Sequence, residues 1–318
     1  MLSDEGPTFR FKTGHTGKVN HAAFNFFGNQ FATAGSDGSI KLFEAKDGAV
    51  PIFKDKIGEH PGAQIWCISW AHPRFGQMLA SAGHDCKLII WKRDELFGGG
   101  WKKEYEYTGH QASVHTVAFA PYAYGLKLVA GSMDGFLSVH SYNRESKEWT
   151  VAKIPNAHDK GVNGVSWAPS RYYTNENGQT QLTAQRFVSC GNEKLAKIWV
   201  FDPNEGWKLE YCLKGHTDYV TDVQFCMDAQ DGWYKLASVG MDDNLFIWET
   251  NNIERAEYRT QCLVELGGPA NRICWMNRDK LFVDGEFEAS EVFQFDGEKW
   301  GREDGNLDQS LPRQSYDE

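Results

Sequence analysis

An all-β propeller of four-stranded blades is the fold this 318-residue sequence predicts, and three observations predict it. First, an acidic turn recurs. GSDGSIKLF, GHDCKLIIW, SMDGFLSVH, GNEKLAKIW and GMDDNLFIW carry Asp37, Asp85, Asp134, Glu193 and Asp242 at spacings of 48, 49, 59 and 49 residues. Second, companions keep fixed offsets from that acid. A large residue stands six positions on (Phe43, Trp91, His140, Trp199, Trp248), and a small one four before (Thr33, Ser81, Ala130, Ser189, Ser238). Third, a histidine opens every unit: His15, His60, His110, His158 and His216. Self-similarity with a period of about 40–50 residues marks a propeller whose blades are four-stranded sheets.

The elements follow in order. VNHAAF, IWCISW, VHTVAF, VNGVSW and VTDVQF each read as a first strand, and QFATAG, MLASAG, LVAGS, RFVSCG and LASVG as a second. The acidic turn leads into a KLIIW-like third strand. A polar outer strand closes the unit, often opened by Trp, as in GWKKEYEYTGH and GWKLEYCLKGH. β-branched and aromatic enrichment between Gly and Asp turns favours strands over helices. A sixth unit is degenerate. It offers strands at Ile273–Met276, Leu281–Val283 and Val292–Phe295, with Phe295 in the Trp place and Ala289 in the acid's place. The pattern is that of a WD-repeat propeller: one domain over 1–302, blades over 14–58, 59–108, 109–156, 157–213, 214–265 and 266–302, and no seventh. GEKWGRE resembles earlier outer strands and gives blade six its own, which leaves TFRFK at 8–12 as a spare N-terminal strand beside blade one. Residues 171–185 read as a polar surface loop, and the polar tail 303–318 is expected to lack fixed structure.

Five copies of one His–acid pair argue for architecture before chemistry. Burying either partner alone strips it of water. A Ser/Thr hydroxyl and an indole N–H let the group satisfy itself, at about 1.5–3 kcal/mol net for each bond to a charged partner. His60–Ser81–Asp85–Trp91 and His216–Ser238–Asp242–Trp248 are expected as complete structural sets. Blade one offers His15, Thr33 and Asp37. Blade four offers His158, Ser189 and Trp199, but Glu193 replaces the Asp and puts the turn in question. Blade three has His110 and Asp134 but reads as incomplete, because Ala130 has no hydroxyl and His140 replaces the Trp.

Composition narrows the function. With 41% hydrophobic and 14% aromatic residues the chain can pack a large core, and a net charge of −10 disfavours non-specific nucleic-acid binding. Seven dispersed cysteines without a Cys-x-x-Cys read as reduced thiols in a cytosolic or nuclear protein. The first residues lack the apolar stretch of a signal peptide, and no run reaches membrane-span length. No GxSxG, P-loop, dinucleotide turn or His-Glu-x-x-His occurs, so no catalytic residue, metal, cofactor or small-molecule substrate is expected.

Four strings go further than the generic repeat: SWAHPRFGQMLASAGHDCKLIIWK at 69–92, FAPYAYGLKLVAGSMDG at 119–135, NAHDKGVNGVSWAPS at 156–170 and HTDYVTDVQF at 216–225. Together they resemble the small propeller subunit (the Sec thirteen family) shared by the outer COPII vesicle coat and the Y-shaped nuclear-pore scaffold. The resemblance spans about residues 9 to 302 and implies an open six-bladed ring. A long α-solenoid partner, a coat subunit or a nucleoporin, would insert a β-blade and complete it to seven. It also implies a scaffold in ER-to-Golgi transport and the pore, located at ER exit sites, COPII vesicles and the nuclear envelope, with membrane association through the assembly only.

If the ring is open, the expected edges of the gap are Val19, Phe24, Ile40 and Phe43 in blade one and Ile273, Trp275, Val292 and Phe295 in blade six. The alternatives are a closed-ring WD-repeat peptide reader or adaptor, in which 8–12 zips into blade six, and the paralogous pore or nutrient-signalling propeller subunit.

Overall fold

In the computed structural model, residues 11–46, 49–94, 99–174, 178–228, 233–251, 258–287 and 290–302 are described, and they form six four-stranded antiparallel sheets and one small hairpin. Blade one is β1 (Val19–Phe24), β2 (Gln30–Gly35), β3 (Ser39–Lys46) and β4 (Ala49–Glu59). Blade two is β5 (Ile65–Trp70), β6 (Met78–Gly83), β7 (Leu88–Arg93) and β8 (Trp101–Tyr107). Blade three is β9 (Val114–Phe119), β10 (Lys127–Ser132), β11 (Leu137–Asn143) and β12 (Glu148–Ile154). In blade four, β13 (Val162–Trp167) is followed by the hairpin β14 (Tyr172–Thr174) and β15 (Thr180–Leu182), then by β16 (Arg186–Gly191), β17 (Ala196–Asp202) and β18 (Gly206–Leu213). Blade five is β19 (Val220–Phe225), β20 (Tyr234–Gly240), β21 (Asn244–Thr250) and β22 (Arg259–Glu265). Blade six is β23 (Ala270–Asn277), β24 (Lys280–Gly285), β25 (Glu291–Phe295) and β26 (Trp300–Arg302).

Each sheet is a meander in chain order, and blade six takes its fourth strand, β26, from the expected GEKWGRE stretch. The 171–185 segment, expected as a loop, is largely the β14–β15 hairpin. Two expectations fall partly or wholly outside the described residues: 8–10 of the spare strand, and Ala289. The tail 303–318 lies outside them entirely.

A blade has two apolar faces, because successive side chains point to opposite sides. Each face needs a neighbour. Five apolar clusters meet that need, one at each junction from blades one–two to blades five–six. Ile65 and Ile68 of blade two, for example, pack on Ala32, Ile40 and Leu42 of blade one.

The inner strands share a second device. In all six the register slips by one residue near the start, so one residue is bulged out: Asn20, Trp66, His115, Asn163, Thr221 and Asn271. A bulge re-aims a side chain. Three of these side chains donate to the first inner-strand carbonyl of the next blade. They are Asn20 Nδ2 to Ile65 O at 2.9 Å, Asn163 Nδ2 to Val220 O at 2.8 Å, and Thr221 Oγ1 to Ala270 O at 2.5 Å.

Further along, backbone N–H groups donate back to the preceding blade: Phe119 N to Ser69 Oγ, Val165 N to Thr116 Oγ1, Phe225 N to Ser166 Oγ, and Trp275 N to Gln224 Oε1. The indoles of Trp70, Trp167 and Trp275 donate to Ala23, Ala118 and Gln224 carbonyls. Among the described residues, no apolar cluster and no hydrogen bond of this kind joins blade six to blade one.

This contrast yields a prediction. Asn163→Ala removes an inter-blade bond and should cost about 1 kcal/mol. Asn271→Ala, at the same register position in blade six, should cost under about 0.5 kcal/mol, like an ordinary surface change. Denaturant midpoints at constant m-value compare the two.

Candidate functional site

Each recurrent histidine lies between an acid and a hydroxyl. In blade two, His60 Nδ1 meets Asp85 Oδ1 at 2.9 Å, and Nε2 meets Ser81 Oγ at 2.8 Å, which also accepts from Trp91 Nε1 at 2.9 Å. Blade five repeats this with His216, Asp242, Ser238 and Trp248 at 2.9, 2.8 and 2.9 Å. In blade one His15 bridges Asp37 (2.8 Å) and Thr33 (2.9 Å), and Phe43 stands where an indole would donate.

Blade three departs from its expectation of an incomplete set. The hydroxyl comes from Ser138, directly across from Ala130 on the next strand. Ser138 Oγ meets His110 Nε2 at 2.8 Å and His140 Nε2 at 2.9 Å, while His110 Nδ1 meets Asp134 at 3.0 Å. The second imidazole thus takes the indole's place. In blade four Ser189 Oγ joins His158 (2.7 Å) and Trp199 (2.8 Å), and His158 Nδ1 lies 3.0 Å from Glu193 Oε1, which also pairs with Lys197. The longer Glu is accommodated without losing the turn. The residue after the acid is left-handed in all five turns: Gly38, Cys86, Gly135, Lys194 and Asp243, at φ between 61° and 82°.

Burial holds the pKa values of His60, His110 and His158 below the ordinary 6.5, against the opposing pull of their carboxylates. His140 falls to about 3 for the same reason. Burial would raise Asp37, Asp134 and Asp242, but it is outweighed by hydrogen bonds from the histidines and from backbone N–H groups, so all three lie below 3.8. In the same balance Glu193 falls to about 2.

The channel is lined unevenly. Arg272 of blade six lies 3.9 Å from Asp222 of blade five, and its charge reaches His21, Cys67 and His115 on three other inner strands and Cys190 on the second strand of blade four. Asp222 also accepts the Ile273 N–H at 3.1 Å.

The remaining feature is a face of blade one. By register, Phe31 and Phe43 correspond to Leu79 and Trp91, which in blade two face the preceding blade. Phe31 and Phe43 stack at 5.3 Å. Phe11 sits edge-on to both at 5.9 and 5.5 Å, Phe24 packs on Phe31 at 5.3 Å, and Phe53 on Phe43 at 5.8 Å. Phe24 remains 62% exposed and Phe53 55%. Across the junction, Met276 (58%) and Phe282 (36%) are exposed too.

Of the eight expected edge residues, Val19, Phe24, Phe43 and Val292 lie on these two faces by strand alternation. The other four are corrected. Ile40 belongs to the core between blades one and two, and Ile273, Trp275 and Phe295 pack toward blade five. Each is an odd number of residues from a neighbour on its own strand that faces the junction of blades six and one, and one step reverses the face. Phe295 is also not in the Trp place: Phe293, opposite Leu281, is. Sequence reasoning missed Phe11, Phe31, Phe53, Met276 and Phe282. The legible signal was the number of Phe residues in blade one, with Phe at both the place of Leu79 and the place of Trp91.

A family model described as "WD domain, G-beta repeat" matches residues 6–44, 53–92, 101–141 and 207–249. The chain is 37% identical to "Protein SEC13 homolog" of Drosophila melanogaster over 85% of its length and 75% of the relative's. It is 38% identical to the protein of that name from Caenorhabditis briggsae, over 80% of each. To "Protein transport protein sec13" of Aspergillus clavatus it is 33% identical over 81% of this chain and 88% of that one. The chain belongs to the Sec13 family of WD-repeat propellers. In this Sec13-type propeller the four matched segments centre on blades one, two, three and five, the blades whose acid is Asp.

Two predictions follow from the polar sets. Ser138→Ala strands two buried imidazoles and should cost about 2–4 kcal/mol, as should Asp242→Ala, measured by denaturant unfolding. For pH, the sign is set by proton uptake. The unfolded histidines bind protons below about 6.5 while the folded ones do not, so stability falls as pH drops below 6.5. The carboxylates held low in the folded state add a second loss as pH falls below about 4.5. Thermal midpoints should be flat above pH 7, fall from there to pH 5, and fall more steeply below.

Proposed function

We propose that this chain is a non-catalytic scaffold subunit of protein-transport coat assemblies, and that its ring is open between blades six and one. An α-solenoid partner would supply a seventh blade there. One observation carries the reading. Five junctions are filled by apolar clusters and inter-strand hydrogen bonds, while at the sixth a five-phenylalanine face stands with Phe24 and Phe53 largely exposed. Exposed apolar surface of this kind marks an interaction site.

The partner's strands would form a sheet packed face to face between the two blades. Such an insert of about three strands buries on the order of 2,000 Å² or more, the size of a permanent interface. The N–H groups of Ala22 and Phe24 occupy the register places whose equivalents bond to the preceding blade, and they would find acceptors on the insert. The names of the relatives, SEC13 and protein transport protein, support the transport role. By the same resemblance the coat is the COPII outer cage at ER exit sites, with a second assembly at the nuclear pore, and the chain meets membranes only through its partners.

The test is co-purification with the helical partner. Phe24→Arg and Phe282→Arg alter exposed side chains, so the isolated chain should unfold within about 0.5 kcal/mol of the unaltered one. Capture of the solenoid protein should be lost in each. Retained capture by both variants would refute the open-ring reading.

A further inference from the structure

We propose a second docking surface, on the end of the ring formed by blades one to three, that takes a proline-rich segment of another protein bearing an acidic residue beside its prolines. The connections from first to second strand in these blades bring five rings into one stripe. Phe27 meets Phe26 at 5.4 Å, Phe26 meets His72 at 4.7 Å, His72 meets Tyr122 at 4.9 Å, and Tyr122 meets Phe75 at 5.2 Å between centroids. Phe26 is 65% exposed, Phe27 67% and Tyr122 38%. The stripe runs away from the junction of blades six and one, across blades two and three.

The stripe is held in place. His72 caps a 3-10 turn at Pro73–Phe75 that ends with Phe75, and Tyr122 opens another at Tyr122–Tyr124. Both end on a glycine in the left-handed region, Gly76 at φ 87° and Gly125 at φ 83°. His72 Nδ1 accepts the Arg74 N–H at 3.2 Å, which puts the proton of the neutral ring on Nε2. Burial and the Arg74 charge keep that ring neutral. The Tyr122 hydroxyl has no hydrogen-bond partner among the described residues. The stripe therefore combines flat apolar rings with two available donors.

That combination suits a polyproline II helix. Its carbonyls are unbonded and its rings pack on aromatic faces, at little ordering cost. An aliphatic helix would leave the two donors unused. Charge selects further. Arg74 lies 5.3 Å over the Tyr122 ring and Arg144 5.8 Å over Phe75, and neither has a carboxylate within 4 Å among the described residues. Two uncompensated arginines on one face of a chain of net charge −10 call for an acidic group on the ligand.

The probe is a labelled synthetic peptide of proline pairs separated by glutamate, titrated into the full chain by fluorescence anisotropy. Saturable binding is expected, weaker for the same peptide with lysine in place of glutamate. Tyr122→Ala should weaken it about tenfold or more, the loss expected of an aromatic anchor. Tyr122→Phe keeps the packing and should still weaken it. Arg74→Glu should reverse the preference between the two peptides. Thermal midpoints accompany each variant. No saturable binding, or binding unchanged by both Tyr122→Phe and Arg74→Glu, would overturn the proposal. So would sedimentation with phosphatidylserine vesicles that Phe26→Ala abolishes while the peptide fails to bind, which would make the stripe a membrane contact.

Discussion

A blade of four strands cannot bury both of its faces alone, and everything else in this molecule follows from how that need is met. Each face requires a neighbour, each neighbour brings a second face, and the chain of debts ends only when a ring closes. At five junctions the debt is settled twice, by an apolar cluster such as that around Ile65, Ile68 and Leu42, and by inner-strand bonds such as Phe225 N to Ser166 Oγ. At the sixth, Phe31 and Phe43 stand where Leu79 and Trp91 of blade two meet a neighbour. On the proposed open-ring reading, fold and binding site are one problem: the site is a place where the fold's own rule has no second party.

The histidine sets serve the same end from the outer turns. Each ties a turn to its own strands, and several turns also reach the next blade, as when the His60 N–H donates to Gly38 O at 2.8 Å and the His158 N–H to Gly135 O at 3.1 Å. Gly38 and Gly135 allow that approach because a Cβ there would lie 2.4 and 2.3 Å from those histidine carbonyls. The imidazoles of His60 and His110 are spent on these bonds. An imidazole whose two nitrogens are both committed, and whose basicity is lowered by burial, is a poor proton carrier at neutral pH.

Much of this was legible in the sequence. The acidic turn, the histidine and the Trp six places on lie close together along the chain, so their spacing survives as a pattern. That pattern carried the blade count and the sets of blades two and five. What escaped it was what depends on facing rather than spacing. Ser138 replaces the missing hydroxyl of blade three from across the sheet, a cross-strand exchange that offset counting along one strand does not see. Ile40 and Phe43 differ by three positions and so point to opposite blades, yet both read as blade-one apolar residues. Degenerate blade six lacks the acid from which the Trp place is counted, so spacing alone points to Phe295 while the register puts Phe293 there. The bulges that aim Asn20, Asn163 and Thr221 at the next blade leave no mark in hydrophobic periodicity.

The most direct measurement is residue-resolved amide hydrogen exchange of the isolated chain, comparing equivalent inner-strand positions. Val165, Phe225, Ile273 and Trp275 donate their N–H groups to the preceding blade. Ala22 and Phe24 hold the same places in blade one. Opening free energies vary across a structure, and a group without a partner exchanges near the lower limit. The Ala22 and Phe24 amides should exchange far faster than the other four and become protected when the helical partner binds. Protection of Ala22 and Phe24 equal to that of Phe225 and Trp275 in the free chain would mean that blade six already covers blade one, and the open-ring account would be wrong.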